Sequence, residues 1–137
     1  MKLHIWFIGK PRDAHCKAIA EEFLKRTSRY AKCEMREIQP ARSDLWSRVG
    51  VKVLLDPAGK ALDSAGFTTL VRQIEMDGRD AYFVLGGAEG FDDDWRGRAD
   101  HLVSLSRMTF PHELARAMLL EQVYRAFTTL RGHPYPR

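Results

Sequence analysis

The chain has 137 residues, 45% of them hydrophobic and 29% charged. That composition fits one globular domain over residues 1–137, large enough to bury a core without metals or disulfides, and excludes a disordered or low-complexity chain. The net charge of +4 is uneven: residues 1–50 carry 11 Lys and Arg against 6 Asp and Glu, and the remainder carry 11 against 12. A positive N-terminal part suits a polyanionic partner such as RNA, although a solvated surface on a basic protein gives the same count.

Residues 2–8 are β-branched and aromatic and predict a strand. Asp13 is placed to cap a helix running to about Tyr30, with Ala18, Ile19, Phe23 and Leu24 on one side. Cys33 to Ile38 predicts a second strand, followed by a loop from Gln39 to Ser43 and at most a short helix from Asp44 to Val49. Val51 to Leu55 predicts a third, buried strand that stops at Asp56-Pro57, and Pro57, Gly59 and Gly66 mark a loop over 57–66. A helix from Phe67 to Met76, a strand from Ala81 to Leu85, a helix from Asp92 to about Asp100 and a fifth strand from Leu102 to Met108 follow. The last helix is expected from Pro111 to about Arg131.

Alternating strands and helices imply an α/β fold with a mostly parallel sheet covered by helices on both faces. Ligands bind such sheets beyond the carboxyl ends of the strands. Asp56-Pro57, the glycine loop Gly86–Gly90 and the segment Ser104–Phe110 all fall at or near such ends. The last helix is apolar around more than one face, through Leu114, Met118, Leu119, Leu120, Val123, Tyr124, Phe127 and Leu130. A single stripe suffices for a helix packed on one side. The excess fits either a fully buried core helix or a subunit interface.

The motifs narrow the chemistry mainly by exclusion. Gly86–Gly90 does not match the dinucleotide fingerprint GxGxxG, and Gly59-Lys60 lacks the other parts of a phosphate-binding P-loop. Cys16 and Cys33 have no CxxC spacing, which argues against a zinc site or disulfide framework and for free thiols in a reducing cytosol. The apolar run Leu3–Ile8 is too short for a signal-peptide core or a membrane span. The expected location is therefore the cytoplasm, with no membrane and no metal. Of five histidines, His4 lies in a strand, His15 and His101 read as surface residues, His112 opens the last helix and His133 belongs to the tail. The tail ends in Tyr135, Pro136 and Arg137, an aromatic and basic terminus suited to stacking on a base and pairing with a phosphate.

Four segments carry a resemblance to a known family: MKLHIWFIGK at the start, VLLDPAGK in the middle, LGGAEGF, and above all SLSRMTFPHELARAMLLEQVYRAF at its distance after the glycine loop. Together the chain resembles the ribosomal RNA large subunit methyltransferase H family, small SPOUT-class enzymes, over almost its whole length. The resemblance implies a C-terminal trefoil knot, which periodicity does not reveal. It implies a homodimer packed through the last helix, and S-adenosylmethionine as cofactor held by Leu55, Gly86, Leu105, Ser106, Arg107, Met108, Thr109 and Phe110. It further implies methylation of N3 of a pseudouridine in 23S ribosomal RNA of the assembled ribosome. Acceptor-side roles fall to His133, Tyr135 and Arg137.

Two departures qualify that expectation. The family commonly ends in Tyr-His-Arg or Tyr-His-Lys, whereas this chain has Tyr135-Pro136-Arg137. The residue often assigned to catalysis is missing, so that His133 or Tyr135 replaces it, the proton leaves to water, or activity falls. The segment between Gln39 and Val51 is also shorter than in the family by roughly a helix. The alternative function is a non-catalytic RNA- or ribosome-binding protein that keeps the fold, and Pro136 is the feature that favours it. A different small-molecule enzyme on an α/β sheet is disfavoured by the lack of phosphate, metal and nucleophile motifs.

Overall fold

The computed structural model describes residues 1–136. Five strands, β1 (Lys2–Ile8), β2 (Lys32–Ile38), β3 (Val51–Ala61), β4 (Ala81–Leu85) and β5 (His101–Ser104), form one sheet in the order β2-β1-β4-β3-β5. Every pairing is parallel. The helices are α1 (Ala14–Thr27), α2 (Ser64–Asp77), α3 (Asp93–Arg98) and α4 (His112–Leu130).

The alternation of strand side chains sorts the core into two layers. Leu3, Ile5, Val53, Phe83, Leu85 and Val103 point to one face and are buried with Leu119, Leu120, Val123 and Phe127 of α4 and with residues of α1 and α2. Trp6, Leu54, Tyr82 and Val84 point to the other face, where α3 and two short 3-10 turns, Pro40–Arg42 and Leu45–Ser47, complete the cover. The short 39–50 segment thus still closes the second layer: Leu45 is fully buried, and Trp46 meets Trp95 edge-on at 5.3 Å.

Three sequence expectations are corrected. β3 does not stop at Asp56-Pro57 but continues to Ala61: it pairs with β4 up to Leu55 and with β5 first through Val53–Leu55 and, after a register shift, through Lys60 and Ala61. Gly59 makes this possible. A Cβ there would lie 2.6 Å from the backbone of Leu102 and Val103, so only glycine lets the two strands cross so closely. β5 in turn ends at Ser104 rather than Met108. The hydroxyl of Ser104 donates to the Ser106 carbonyl at 2.7 Å, and the Ser106 hydroxyl accepts the Met108 amide at 3.0 Å. These local bonds satisfy backbone groups that a continued strand would need to pair. α2 also begins three residues early, because Asp63 accepts the Gly66 amide as an N-cap.

α4 resolves the choice posed by its apolar surface. It lies between α1 and α2 against the sheet, and Leu119, Leu120, Val123, Tyr124 and Phe127 are buried within the protomer. The excess hydrophobicity is a core requirement, and Leu114 and Met118 alone among its large aliphatic side chains keep appreciable exposure alongside Leu130 near the end. Among the described residues, no helix is long and apolar enough to cross a membrane.

Candidate active site

The register shift of β3 at Leu55–Pro57, the carboxyl ends of β4 and β5 and the first turn of α4 enclose a cleft of about 820 Å³, its open mouth included. Leu55 and Leu85 form its floor, the glycine loop forms one wall, and the segment from Ser104 to Phe110 forms the other. Of the residues expected to hold a cofactor, Leu55, Gly86, Leu105, Ser106, Met108, Thr109 and Phe110 meet here, while Arg107 is exposed and outside the lining. Asp56, Pro57, Ser104, His112 and Ala115 also line the cleft. They are extra to the expected set, although Asp56-Pro57 at a strand end and His112 beside the loop were visible signals.

The walls are held by the chain itself. Gly90 donates its amide to the Gly87 carbonyl at 3.0 Å, closing the glycine loop as a tight turn. A Cβ at Gly86 would sit 3.2 Å from the backbone of Gly90 and 3.3 Å from the Phe91 ring. Gly86 is therefore needed first for loop closure. Asp56 is 2% exposed. Its carboxylate accepts the Ala58 amide at 2.8 Å and Nε of Arg96 at 2.7 Å. The pair ties the β3 register shift to α3 directly behind the glycine loop, and the contact with Asp56 raises the Arg96 pKa.

The tail lies elsewhere. The Tyr135 hydroxyl donates to Oε2 of Glu121 at 2.9 Å, and its ring meets Tyr124 edge-on at 4.8 Å. Arg125 pairs with Glu121 at 2.8 Å and donates to the Pro136 carbonyl at 2.8 Å. Burial, followed by the neighbouring Glu121 carboxylate, pushes the Tyr135 pKa above the ordinary phenol value, so the docked side chain stays a neutral phenol that donates its hydrogen bond to Glu121. The His133 side chain is exposed, with its backbone amide bonded to the Thr128 carbonyl at 2.9 Å. Arg137 lies outside the described residues. Glu121 is nine residues beyond His112, about 13 Å along the helix at 1.5 Å per residue. The structure does not bring His133 and Tyr135 to the cleft of their own protomer.

Neither thiol belongs to the cleft lining. Cys16 and Cys33 are free and half-buried. Burial, aided by the charge of Glu34, pushes the Cys33 thiol up to about 12, which leaves it protonated and unreactive. Among the described residues, no three His, Cys, Asp or Glu side chains converge to hold a metal ion.

A parallel sheet with a cleft walled by a glycine loop and a serine-braced segment defines an α/β domain with a candidate site at one edge of its strands. A family model described as predicted SPOUT methyltransferase matches residues 1–136. The ribosomal RNA large subunit methyltransferase H of Solibacter usitatus is 60% identical, with all of both chains covered. The proteins of the same name from Sorangium cellulosum and Coprothermobacter proteolyticus are 41% and 34% identical, each over 98% of this chain and 99% of theirs. In fold, the crystal structure of the SpoU methyltransferase AviRb from Streptomyces viridochromogenes aligns with a TM-score of 0.54 at 15% identity. That alignment spans 96% of this chain and 61% of the other. The chain belongs to the SPOUT methyltransferases and, within them, to the ribosomal RNA large subunit methyltransferase H family.

Proposed function

We propose that this protein uses S-adenosylmethionine to methylate N3 of a pseudouridine in 23S ribosomal RNA of the assembled ribosome, acting in the cytoplasm as a homodimer with the family's trefoil knot. The observation that carries the reading is the cleft itself, in which seven of the eight expected cofactor residues converge. Its chemistry fits the cofactor. Leu55, Leu105 and Phe110 offer apolar surface for an adenine ring, while the glycine loop offers backbone groups and space. When bound, the cofactor supplies a methyl group on a positively charged sulfur, already activated for in-line displacement. The chain's share of the work is then to align the acceptor, exclude water and accommodate loss of the N3 proton.

The position of the tail supports the dimer. Tyr135 is held by Glu121 away from its own cleft. If the tail contacts the acceptor nucleotide, it does so at the cleft of a second subunit or after leaving this docking site. In that role Tyr135 stacks or hydrogen-bonds and Arg137 supplies positive charge, with His133 taking the place of the family histidine. The alternative, a non-catalytic ribosome-binding protein, is favoured by Pro136 alone.

The test combines calorimetric titration of S-adenosylmethionine with mass spectrometry of 23S ribosomal RNA from cells with and without the gene. Cofactor binding together with loss of one methylated pseudouridine is the expected result. An unchanged methylation map would leave only the binding role.

A further inference from the structure

We propose that the loop between β1 and α1 is a phosphate-gripping lip of the cleft, in which Lys10 and Arg12, with Arg107 from the opposite wall, take phosphate oxygens of the RNA strand carrying the acceptor nucleotide. The inference rests on the RNA methyltransferase reading and identifies which surface holds the substrate strand.

The end of β1 lies between the glycine loop and the start of α4. A Cβ at Gly87 would be 3.5 Å from the Ile8 side chain, and one at Gly9 would be 3.7 Å from Nε2 of His112. The loop that follows, residues 9–13, is therefore fixed beside the mouth. Its hold on α4 is explicit: one carboxylate oxygen of Glu113 accepts the amides of Arg12 at 2.7 Å and Asp13 at 3.0 Å. Glu113 and Asp13 are thereby both occupied with backbone, since Asp13 caps α1 through the amides of His15 and Cys16.

The cationic side chains have no such engagement. Lys10, Arg12 and Arg107 are exposed, and none forms an ion pair among the described residues. Arg116 adds positive charge beneath the lip, 3% exposed with its guanidinium 4.1 Å from the Phe7 ring centre. The acidic side chains Glu89 and Asp92 to Asp94 are exposed on the glycine-loop side, where Ile8 lines one pocket with Glu89 and Asp92. A polyanion at the mouth is drawn towards Lys10, Arg12 and Arg107 and repelled from the glycine-loop edge, which favours a path from the β1–α1 loop towards the Ser104–Phe110 wall. Backbone contacts of this kind position a nucleic acid without reading its sequence.

The experiment measures binding of wild type and the Lys10→Gln/Arg12→Gln double variant to purified large ribosomal subunits over a series of salt concentrations. The expected slope of log affinity against log salt falls by about one to two, because each lost phosphate contact removes about one released counterion. KM for subunits should rise about tenfold, while kcat at saturating subunits and S-adenosylmethionine affinity stay near wild type. Arg12→Lys, which keeps the charge, should keep the wild-type slope. Lys32→Gln, at the opposite end of the sheet, should also leave it unchanged. An unaltered slope in a double variant, beside a wild type that binds and methylates subunits, overturns the lip while sparing the methyltransferase reading. A wild type that binds cofactor but neither binds nor methylates subunits overturns the reading itself, and the lip with it.

Discussion

Gly86 has two demands on it at once, and the first is internal. With Gly90 and Phe91 already within 3.3 Å of where its Cβ would be, even alanine must shift the loop. Gly86→Ala is therefore expected to weaken S-adenosylmethionine binding through loop displacement, seen as loss of calorimetric affinity in a folded protein. Unchanged affinity would mean that this loop does not shape the site. Asp56 is the corresponding anchor on the other side. Asp56→Ala strands the Ala58 amide and frees Arg96, at a cost of about 2 kcal/mol for hydrogen bonds to a charged group. Urea unfolding reads that loss directly. At Pro136 the structure separates backbone from side chain. Arg125 binds the carbonyl, which any residue supplies, so Pro136→His should preserve the docked tail while adding an imidazole. Faster single-turnover methylation by that variant would show that proline carries a catalytic cost. An unchanged rate would show that the proton leaves without that residue.

Among the elements, strands were the most legible, because β1, β2 and β4 lie within a residue or so of the bounds that apolar patterning predicts. β3 was cut short because Pro57 and Gly59 look like loop residues in isolation. Their place in a strand depends on the approach of β5, a contact distant in sequence. β5 was overextended for the converse reason: Leu105 and Met108 continue an apolar pattern that serine hydroxyls interrupt. The cleft segments were legible from the rule that ligands bind beyond strand ends, but the cofactor role of single residues only through family resemblance, since backbone-lined sites leave few diagnostic side chains. β1 and β4 also carry a polar device that no motif announces. His4 is 4% exposed, stacked on Tyr82 at 4.2 Å and bonded to Glu34 at 2.7 Å and Asp80 at 3.3 Å. Burial raises the carboxyl pKa of Glu34, but hydrogen bonds from His4 and Trp6 outweigh it and hold the group below its ordinary 4.5. A depressed folded-state pKa stabilises the protein above the unfolded value, and that contribution disappears as pH falls through the folded value. The stability gap between wild type and Glu34→Gln, followed by urea unfolding, should be constant near neutrality and narrow below about pH 4.5. A gap independent of pH would assign the pair a packing role only.

For the whole molecule, the open matter is how one chain assembles a complete site from a cleft and a tail held apart on α4. The apolar surface of α4 no longer argues for a dimer, since the core consumes most of it. The separation itself is the stronger argument: Tyr135 is fastened to Glu121, about 13 Å along the helix from His112. A two-fold dimer that lays the start of one α4 beside the tail of its partner would unite them, and each subunit would then lend its tail to the other. Subunit mixing tests this more sharply than oligomer size alone. A Gly86→Val protein keeps an intact tail with a blocked cleft, and a variant lacking residues 133–137 keeps an intact cleft with no tail. Each should be nearly inactive as a homodimer. Random exchange between equal amounts makes half the dimers mixed, and each mixed dimer holds one complete site, so activity should recover to about a quarter of wild type. A mixture no more active than its components, with exchange verified by native mass spectrometry, would mean that the tail serves its own cleft. It would then have to leave Glu121 to do so, and Tyr135→Phe, which removes that hydrogen bond, should speed methylation.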